Sequence, residues 1–372
     1  MKFAIITHAA HKIKENDLFA YEPYVREMNL WLKNVSKTKI VAPISFSEIT
    51  PIDSAYINDN IVIQKIPSFN LLNFKNIISS AFKIPMICFQ IFKTMLWADH
   101  IHLRCPGNIG FLGCIIQIFF PFKKKTVKYA GNWDPKSKQP VSYRFQKWIL
   151  SNTFLTKNCK VLVYGDWENQ TKNIIPFFTA SYTNKEIIDI ETKSLKGKIS
   201  CVFVGAFTKG KQPLLSVKAI EKMLKENVAI ELNMFGDGLE MNVIKQYIEK
   251  NKLEKNVFLH GNQSKEIVKE AFKKAHFLLF ISKSEGWPKV VAEAMFWGCL
   301  PIASKVSCVP YMLDYGKRGA LVHPSLDEIC STLKQYINDD IAYLKQAKAA
   351  KKWSNKYTLN KFELEISKLL AN

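Results

Sequence analysis

The sequence predicts an α/β protein built from two doubly wound, parallel-sheet (Rossmann-like) domains that face each other across a cleft. Short apolar runs alternate with longer amphipathic segments along all 372 residues, and this alternation is typical of βαβ units. The runs fall into two series, which are separated by the polar and charged residues 181–198. A chain of this length also has room for two domains, each with a core of its own.

Each of the two series contains six candidate strands. The first six span 2–7, 38–43, 61–65, 99–103, 126–130 and 160–164, and the second six span 199–204, 228–235, 256–259, 277–281, 300–303 and 320–322. Amphipathic segments over 212–226, 239–252, 264–275 and 289–297 are predicted helices. We therefore predict an N-terminal domain over 1–185, a C-terminal domain over 186–354, and a last helix within 355–372 that packs back on the first domain.

The chain is strongly basic, with a net charge of +21. Nucleic acid, an anionic membrane surface and anionic small substrates are the candidate partners for such a charge. No nucleic-acid-binding module with interleaved aromatic residues is visible, so we expect no nucleic-acid partner. The apolar run within 108–125 is shorter than the roughly 20 residues that cross a bilayer. It is either an interfacial anchor that ends in three lysines or a core helix between two strands.

The cysteines and the first residues of the chain bear on its location. Eight cysteines are scattered without a CxxC spacing, which predicts neither a zinc site nor a disulfide framework and fits a reducing compartment. The first residues lack the features of a signal peptide. We therefore expect a cytoplasmic protein, with possible peripheral attachment to the inner face of the plasma membrane.

The stretch SKSEGWPKVVAEAMFWGCLPIAS, residues 282–304, combines two glutamates with the start of a helix. Glu285 lies in the loop after a predicted strand, because residues just before a proline avoid the α region. Pro288 suits the first position of the helix, Glu293 lies about one turn inside it, and Gly298 ends it. The two carboxylates, with the backbone N–H groups between them, fit an elongated ligand that consists of a sugar, a diphosphate and a nucleoside.

This constellation resembles the E-x7-E motif of the retaining glycosyltransferases of family 4, which have the GT-B fold. The whole stretch follows the Glu-Gly, Glu-Ala and Gly-x-Pro pattern of that family, and the resemblance extends over roughly residues 200–325. It implies a hexosyltransferase of bacterial surface-polysaccharide assembly that uses a nucleotide-diphosphate sugar. It also implies that Glu285 is a catalytic residue that orients the sugar hydroxyls and that Glu293 holds the ribose.

Further donor-site residues follow from the same resemblance. The segment FVGAFTKGKQPLLSVKAI, residues 203–220, is similar to the family segment in which an arginine and a lysine clamp the donor diphosphate. Lys211 matches the lysine and is the second predicted catalytic residue, but Ala206 stands where the arginine is expected. Lys209, Lys283 or Lys289 could compensate. The remaining predicted donor-binding residues are Gly205, Gly236, Gly286, Trp287, Pro288, Lys289 and Asn262.

The loops after the strands of the first domain are expected to hold the acceptor, as the resemblance to GT-B enzymes implies. His8 and His11 lie after the first strand, although they could equally cap a strand or a helix. Arg104, Asn132 and Asp134 follow two later strands and are predicted to line the cleft. Asn132 stands where many family members carry a histidine that contacts the donor sugar, so we predict no catalytic histidine.

The predicted reaction moves a hexose-type sugar to a glycan acceptor with retention of the anomeric configuration, and the resemblance implies that this acceptor is lipid-linked. The nucleotide sugar is a co-substrate, so no cofactor is expected. No metal is expected either, because lysines and a helix N-terminus can neutralise the departing diphosphate. Two alternatives stay open: a GT-B relative that is not a transferase, such as a nucleotide-sugar epimerase, and a basic membrane-associating protein with a non-catalytic site.

Overall fold

A computed structural model describes residues 1–15, 17–50, 52–58, 60–67, 74–189 and 193–371. The chain divides into two compact units, Met1–Phe177 with Glu363–Asn372 and Phe178–Phe362. The division falls slightly before the predicted boundary at 185, and the last helix contributes residues to both units. Each unit has its own parallel sheet, so the two are described in turn.

The first unit is built on a doubly wound sheet. Its strands are β1 (Lys2–Ile6), β2 (His11–Lys14), β3 (Asp17–Tyr21), β4 (Lys37–Pro43), β5 (Asp53–Ala55), β6 (Ile61–Ile66), β7 (His100–Cys105), β8 (Lys124–Tyr129), β9 (Cys159–Tyr164) and β10 (Ile174–Phe177). Its helices are α1 (Glu22–Leu32), α2 (Phe74–Trp97), α3 (Asn108–Ile116) and α4 (Val141–Ser151). Among the described residues, the parallel sheet has the order β10-β9-β8-β7-β1-β4-β6. The chain order reverses at β1, which pairs with β4 on one side and with β7 on the other.

The second unit repeats this architecture. Its strands are β11 (Ile199–Val204), β12 (Ile230–Phe235), β13 (Val257–Gly261), β14 (Phe277–Phe280), β15 (Leu300–Ser304) and β16 (Ala320–Val322). Its helices are α5 (Pro213–Lys225), α6 (Met241–Lys250), α7 (Lys265–Lys274), α8 (Lys289–Phe296), α9 (Val309–Met312), α10 (Leu326–Asn338) and α11 (Asp340–Ser354), and α12 (Leu359–Ala371) follows. The described strands form a parallel sheet in the order β13-β12-β11-β14-β15-β16. The chain order reverses at β11, which pairs with both β12 and β14.

The central strands are continuous apolar runs because helices cover parallel sheets on both faces. Residues Phe3–Ile6 of β1 and all of β14 are buried, for example. Each predicted strand is present with its ends shifted by at most about two residues, and α5 to α8 occupy the four predicted helical segments. The prediction of two doubly wound parallel sheets is therefore confirmed.

A β-hairpin replaces the loop that the sequence predicts directly after β1. Strands β2 and β3 pair in the antiparallel direction, and β5 pairs with β3 in the same way, so that these strands form a second, smaller sheet. Strand β10 is likewise absent from the prediction. These elements are only three to five residues long. Apolar periodicity over so few residues does not separate a short strand from a loop.

The apolar run within 108–125 forms a core helix, as one of the two sequence interpretations predicts. Six of the nine residues of α3 are buried. Lys123 donates from Nζ to Leu96 O at 2.6 Å, and the buried Lys125 donates to Phe120 O at 2.8 Å. The interfacial-anchor interpretation is therefore wrong for α3, which faces protein rather than solvent, whereas Phe119 and Phe122 in the turn that follows it are exposed. Within the part of the chain that the structure describes, no helix has the length and hydropathy needed to cross a bilayer.

Two buried histidines lie side by side in β7. His100 Nε2 and His102 Nδ1 both lie within hydrogen-bonding distance of Thr126 Oγ1, at 3.0 and 2.9 Å. Burial, assisted by nearby lysines, lowers the pKa of His100 to about 4, and burial lowers the pKa of His102 well below its ordinary value. Both rings are therefore neutral in the folded protein at pH 7.

We expect the unfolding free energy to fall as the pH drops from about 6.5 to about 4. In this window the unfolded chain protonates His100 while the folded state keeps it neutral, so acid favours unfolding by up to about 3 kcal/mol for one such group. Denaturant unfolding at several pH values should show a shallower pH dependence for His100→Gln than for the unmodified protein. Identical pH slopes would contradict this assignment.

Gly236 allows two loops of the second unit to meet backbone to backbone. Its φ is +135°, and a Cβ at this position would lie 2.0 Å from Gly205 O. The amide of Gly205 donates to Phe235 O at 3.0 Å, and the amide of Gly236 donates to Gly261 O at 2.8 Å. The segments that follow β11, β12 and β13 are therefore held together by backbone contacts that leave no room for a side chain.

Gly236→Ala should destabilise the second unit by about 2 kcal/mol or more, since it adds a steric clash to the cost of a positive φ. Gly197→Ala is the matched control, because Gly197 also has a positive φ (+95°) but no atom lies within 4 Å of its added Cβ. Thermal or denaturant unfolding of both variants measures the difference. Equal losses of stability would show that the close approach to Gly205 does not matter.

Candidate active site

The second unit has a natural binding position where its strand order reverses. Strands β11 and β14 are neighbours there, although α5, β12, α6, β13 and α7 lie between them in the chain. Ligands of open α/β sheets bind beyond the carboxyl ends of the strands at such a reversal. The loops that leave these two strands, residues 205–212 and 281–288, are therefore the first place to examine.

The two loops are joined by hydrogen bonds. The amide of Lys283 donates to Gly210 O at 2.8 Å, and Gln212 Nε2 donates to Ile281 O at 3.2 Å. Gln212 itself has a left-handed backbone (φ +49°) immediately before α5 begins at Pro213. This turn orients the residue before it, Lys211, toward the neighbouring loop.

Lys211 and Glu285 form an ion pair across the two loops. Lys211 Nζ donates to Glu285 Oε1, and Ser282 Oγ donates to the same carboxylate oxygen at 2.6 Å. The ammonium group also lies 5.3 Å from the centre of the Phe280 ring. The side chains of Lys211 and Glu285 are 29% and 12% exposed, so a ligand can reach both. The two predicted catalytic residues are thus in direct contact.

The residues that follow Glu285 are fixed from the interior of the unit. Ser307 Oγ and Cys308 Sγ both donate to Gly286 O, at 3.1 and 3.2 Å. Trp287 is buried, with its ring centre 6.4 Å from that of Trp353. Trp287 is therefore part of the packing beneath the loop rather than an exposed surface for a ligand.

Helix α8 begins after Pro288 and ends at Phe296, and Gly298 follows with a left-handed φ of +70°. Glu293 lies in its second turn and is half-buried. Ser181 Oγ donates to Glu293 Oε1, and together with burial the charge of Glu293 raises the pKa of the adjacent Tyr182. Ser181 therefore holds the Glu293 carboxylate at a polar position that is separate from the Lys211–Glu285 pair.

The remaining predicted donor residues lie on neighbouring loops of the same sheet edge. Gly205 and Gly236 form the backbone contact described above, and Asn262 is exposed in the segment that follows β13. Lys289 is half-buried in the first turn of α8. Ala206, which stands where the arginine is expected, is exposed. Lys209 and Lys283, two of the lysines that could compensate for the arginine, are exposed as well.

In the first unit, the loops after β1 and β7 meet at the corresponding reversal of strand order. His8 lies just after β1 and is exposed. Neighbouring atoms nevertheless desolvate its ring, and this desolvation, together with the charge of Arg104, lowers its pKa. Arg104 is only 9% exposed and forms an ion pair with Glu27 at 2.5 Å. His8 is therefore accessible to a ligand, whereas the Arg104 guanidinium is committed to a buried carboxylate.

His11 has an interior position in β2. Its Nδ1 lies 2.8 Å from Ala9 O and its Nε2 lies 2.9 Å from Tyr56 Oη, with the two rings stacked. The residue is fully buried, and burial lowers its pKa to about 4. His11 is therefore a neutral group that positions Tyr56 and the hairpin, and it has no surface for direct contact with an acceptor.

Asn132 and Asp134 shape the loop after β8. Asn132 Oδ1 accepts from the amide of Asp134 at 2.9 Å, and Asp134 Oδ1 accepts from the amide of Lys136 at 2.8 Å. Lys147 from α4 donates to Asp134 O at 3.3 Å, and burial lowers the pKa of Lys147 to about 8 although Asp134 opposes this. Both predicted residues are half-buried and partly occupied with holding the loop.

Two serines that contact the predicted carboxylates are missing from the sequence prediction. Ser282 lies three residues before Glu285 in the same loop, so local spacing could have identified it. Ser181 precedes Glu293 by more than a hundred residues and lies in the stretch predicted to be a linker, so no local signal was present. Within the described ranges, no group of three His, Cys, Asp or Glu side chains is arranged to hold a metal ion.

Residues 184–353 match the family model described as Glycosyl transferases group 1. A curated relative, the poly(glycerol-phosphate) alpha-glucosyltransferase of Bacillus subtilis, is 27% identical over 194 residues, which is 49% of this chain and 27% of the relative. The chain spans between 27% and 50% of the length of the first curated relatives it matches. The matched region contains Lys211, Glu285 and Glu293.

Solved structures extend the similarity to the whole chain. The lipopolysaccharide outer core galactosyltransferase WaaB in its apo form has a TM-score of 0.70 at 16% identity, covering 100% of this chain and 99% of that one. Anabaena HepE in complex with UDP and glucose has a TM-score of 0.66 at 12% identity, covering 100% of both chains. At these identities the likeness shows the fold. The chain thus has the GT-B fold, and its residues 184–353 match the model of the glycosyl transferases group 1 family.

Proposed function

We propose that this protein is a retaining glycosyltransferase of the family 4 type, which moves a hexose from a nucleotide-diphosphate sugar to a glycan acceptor without a metal. The observation that carries the proposal is the Lys211–Glu285 ion pair at the strand-order reversal of the group 1 domain. A cation and a carboxylate in contact at this position suit a ligand that has a diphosphate next to a sugar. The nucleotide sugar is a co-substrate, and the proposal includes no cofactor.

Lys211 acts on the leaving group. When the sugar–phosphate bond breaks, negative charge develops on the departing diphosphate, and a positioned cation stabilises that charge most where water is scarce. The backbone N–H groups at the start of α8 also stabilise negative charge and so supplement the lysine. In this scheme the donor phosphate takes Lys211 from Glu285, which frees the carboxylate to accept hydrogen bonds from the sugar hydroxyls.

Glu293 acts on the other end of the donor, where it holds the ribose hydroxyls. Its position in the second turn of α8 and its contact with Ser181 keep the carboxylate in one orientation before the donor arrives. Retention of configuration then follows from attack by the acceptor on the same face that the diphosphate leaves, with the phosphate oxygen receiving the acceptor proton. No side chain is assigned as a covalent nucleophile.

The acceptor belongs to the first unit in this proposal, with His8, Asn132 and Asp134 as the candidate contacts and with Arg104 and His11 in positioning roles. The relatives suggest its chemistry, since one is a poly(glycerol-phosphate) glucosyltransferase and one structural neighbour is a lipopolysaccharide galactosyltransferase. We infer a lipid-linked glycan of a bacterial surface polysaccharide, handled on the cytoplasmic face of the membrane. A screen of UDP-, GDP- and other nucleotide sugars, scored by released nucleotide in EDTA, tests the activity and its independence of metal.

Glu285→Gln should mainly slow the transfer step, whereas Glu293→Gln should mainly weaken donor binding. Each loses a charged hydrogen-bond acceptor, which corresponds to a roughly ten- to hundredfold effect. Steady-state kinetics with the identified donor separate the effect on kcat from the effect on KM. The exposed Glu254→Gln is the control, and it should behave like the unmodified protein. Unchanged kinetics in both site variants would place the donor elsewhere.

Lys211→Ala should reduce turnover on the order of a hundredfold or more, because Ala206 leaves the diphosphate without the usual second cation. Lys250→Ala, an exposed lysine on α6, provides the control. A loss of less than about threefold would show that Lys209, Lys283 or Lys289 neutralises the phosphate instead. Since Ala206 is exposed, Ala206→Arg has room for its side chain and should tighten donor binding.

A further inference from the structure

Helix α2 presents apolar residues to the solvent as well as to the core. Its inward residues Ile87, Ile91 and Met95 are fully buried. Its outward residues recur every three or four positions and therefore form one stripe along the helix. They are Phe82, Met86, Phe89, Phe92 and Leu96, with exposures of 83%, 48%, 63%, 41% and 61%. The core of the first unit therefore uses the inward face of this part of α2, and the outward apolar stripe lies outside that core.

Two further aromatic side chains lie beside the C-terminal end of this stripe. Phe119 and Phe122 are 69% and 93% exposed in the turn that follows α3. Lys123 Nζ donates to Leu96 O, and the Phe92 and Phe120 rings lie 5.0 Å apart, so this turn is packed directly against the end of α2. We call the seven exposed side chains the α2 patch: Phe82, Met86, Phe89, Phe92, Leu96, Phe119 and Phe122.

The segment that carries the α2 patch has little negative charge. Residues 82–125 contain a single acid, Asp99, whereas four of their lysines are exposed or half-buried: Lys83, Lys93, Lys123 and Lys124. Asp99 Oδ2 accepts a hydrogen bond from the amide of Lys2 at 2.7 Å. Lys93 is exposed within the stripe and Lys124 is exposed beside it. The patch thus combines protruding aromatic side chains with positive charge.

We propose that the α2 patch is the surface by which this protein docks on an anionic lipid bilayer. Phenylalanine, methionine and leucine side chains insert into the boundary between headgroups and acyl chains, and neighbouring lysines are attracted to anionic headgroups. The inference rests on the peripheral location in the proposed function and names the surface responsible for it. It also moves that surface away from α3, most of whose apolar residues are buried.

A second copy of the chain is a less suitable occupant of the same patch. A symmetric dimer would bring Lys93 and Lys124 of both copies into one apolar interface, and Asp99 is the single acid that residues 82–125 supply to compensate them. A bilayer that contains anionic lipid satisfies both features of the patch, its apolar area and its charge. The lipid surface is therefore the occupant that the composition of the patch favours.

The test is cosedimentation of the full chain with vesicles of 70% phosphatidylcholine and 30% phosphatidylglycerol, and with pure phosphatidylcholine vesicles. We expect binding to the anionic vesicles that weakens steeply as salt is raised. Phe89→Glu should lower binding by about tenfold or more, because it places a charge within the apolar stripe. Ile341→Glu is the matched control, since Ile341 is an 80% exposed helical residue of the second unit.

Protein that stays in the supernatant, or Phe89→Glu protein that binds like the unmodified chain, would overturn the proposal. So would a dimer in vesicle-free buffer that Phe89→Glu dissociates, because the patch would then be a contact between copies. The outcome is independent of the donor site. Lys211→Ala should retain vesicle binding, and Phe89→Glu should retain release of nucleotide from the donor in vesicle-free buffer.

Discussion

The pairing of β11 with β14 is the constraint on which the arrangement of the second unit depends. Both strands run in the same direction, so their outgoing loops leave at the same edge of the sheet, and the helices that follow diverge to opposite sides. The hydrogen bond from Lys283 to Gly210 then locks the two loops together. As a result a lysine and a glutamate that are 74 positions apart become neighbours.

The ion pair itself is a modest source of stability. A partly exposed pair typically contributes about 1 kcal/mol or less, so a phosphate can replace the carboxylate as the partner of Lys211 at little cost. What the fold contributes is position: Ser282 fixes the carboxylate, and the Gly286 carbonyl is anchored by Ser307 and Cys308. Groups that are held in place before a ligand arrives need little reorganisation when it binds.

The high positive charge of the chain has more than one structural meaning. Lys125 and Lys128 are buried within β8 and cannot act as part of a basic surface. Lys93 and Lys124 are exposed next to apolar side chains, where a charge affects what the surface binds. Lys211 is partly exposed at the end of a sheet. Net charge alone therefore names anionic ligands as candidate partners, whereas the surroundings of each lysine decide whether it can take part in binding.

The sequence by itself determined the two parallel sheets and the helix at 289–296, because apolar periodicity is a local property of the chain. The resemblance of residues 203–220 and 282–304 to family segments singled out Lys211, Glu285 and Glu293 as candidate site residues. It did not reveal the hairpin of β2 and β3, whose strands are too short for a clear pattern. Only the tertiary structure decided that Ser181 contacts Glu293, that Arg104 is committed to Glu27, that α3 is buried and that α2 exposes an apolar stripe. These features depend on which surfaces meet in three dimensions, and an apolar helix that is covered has the same local pattern as one that is not.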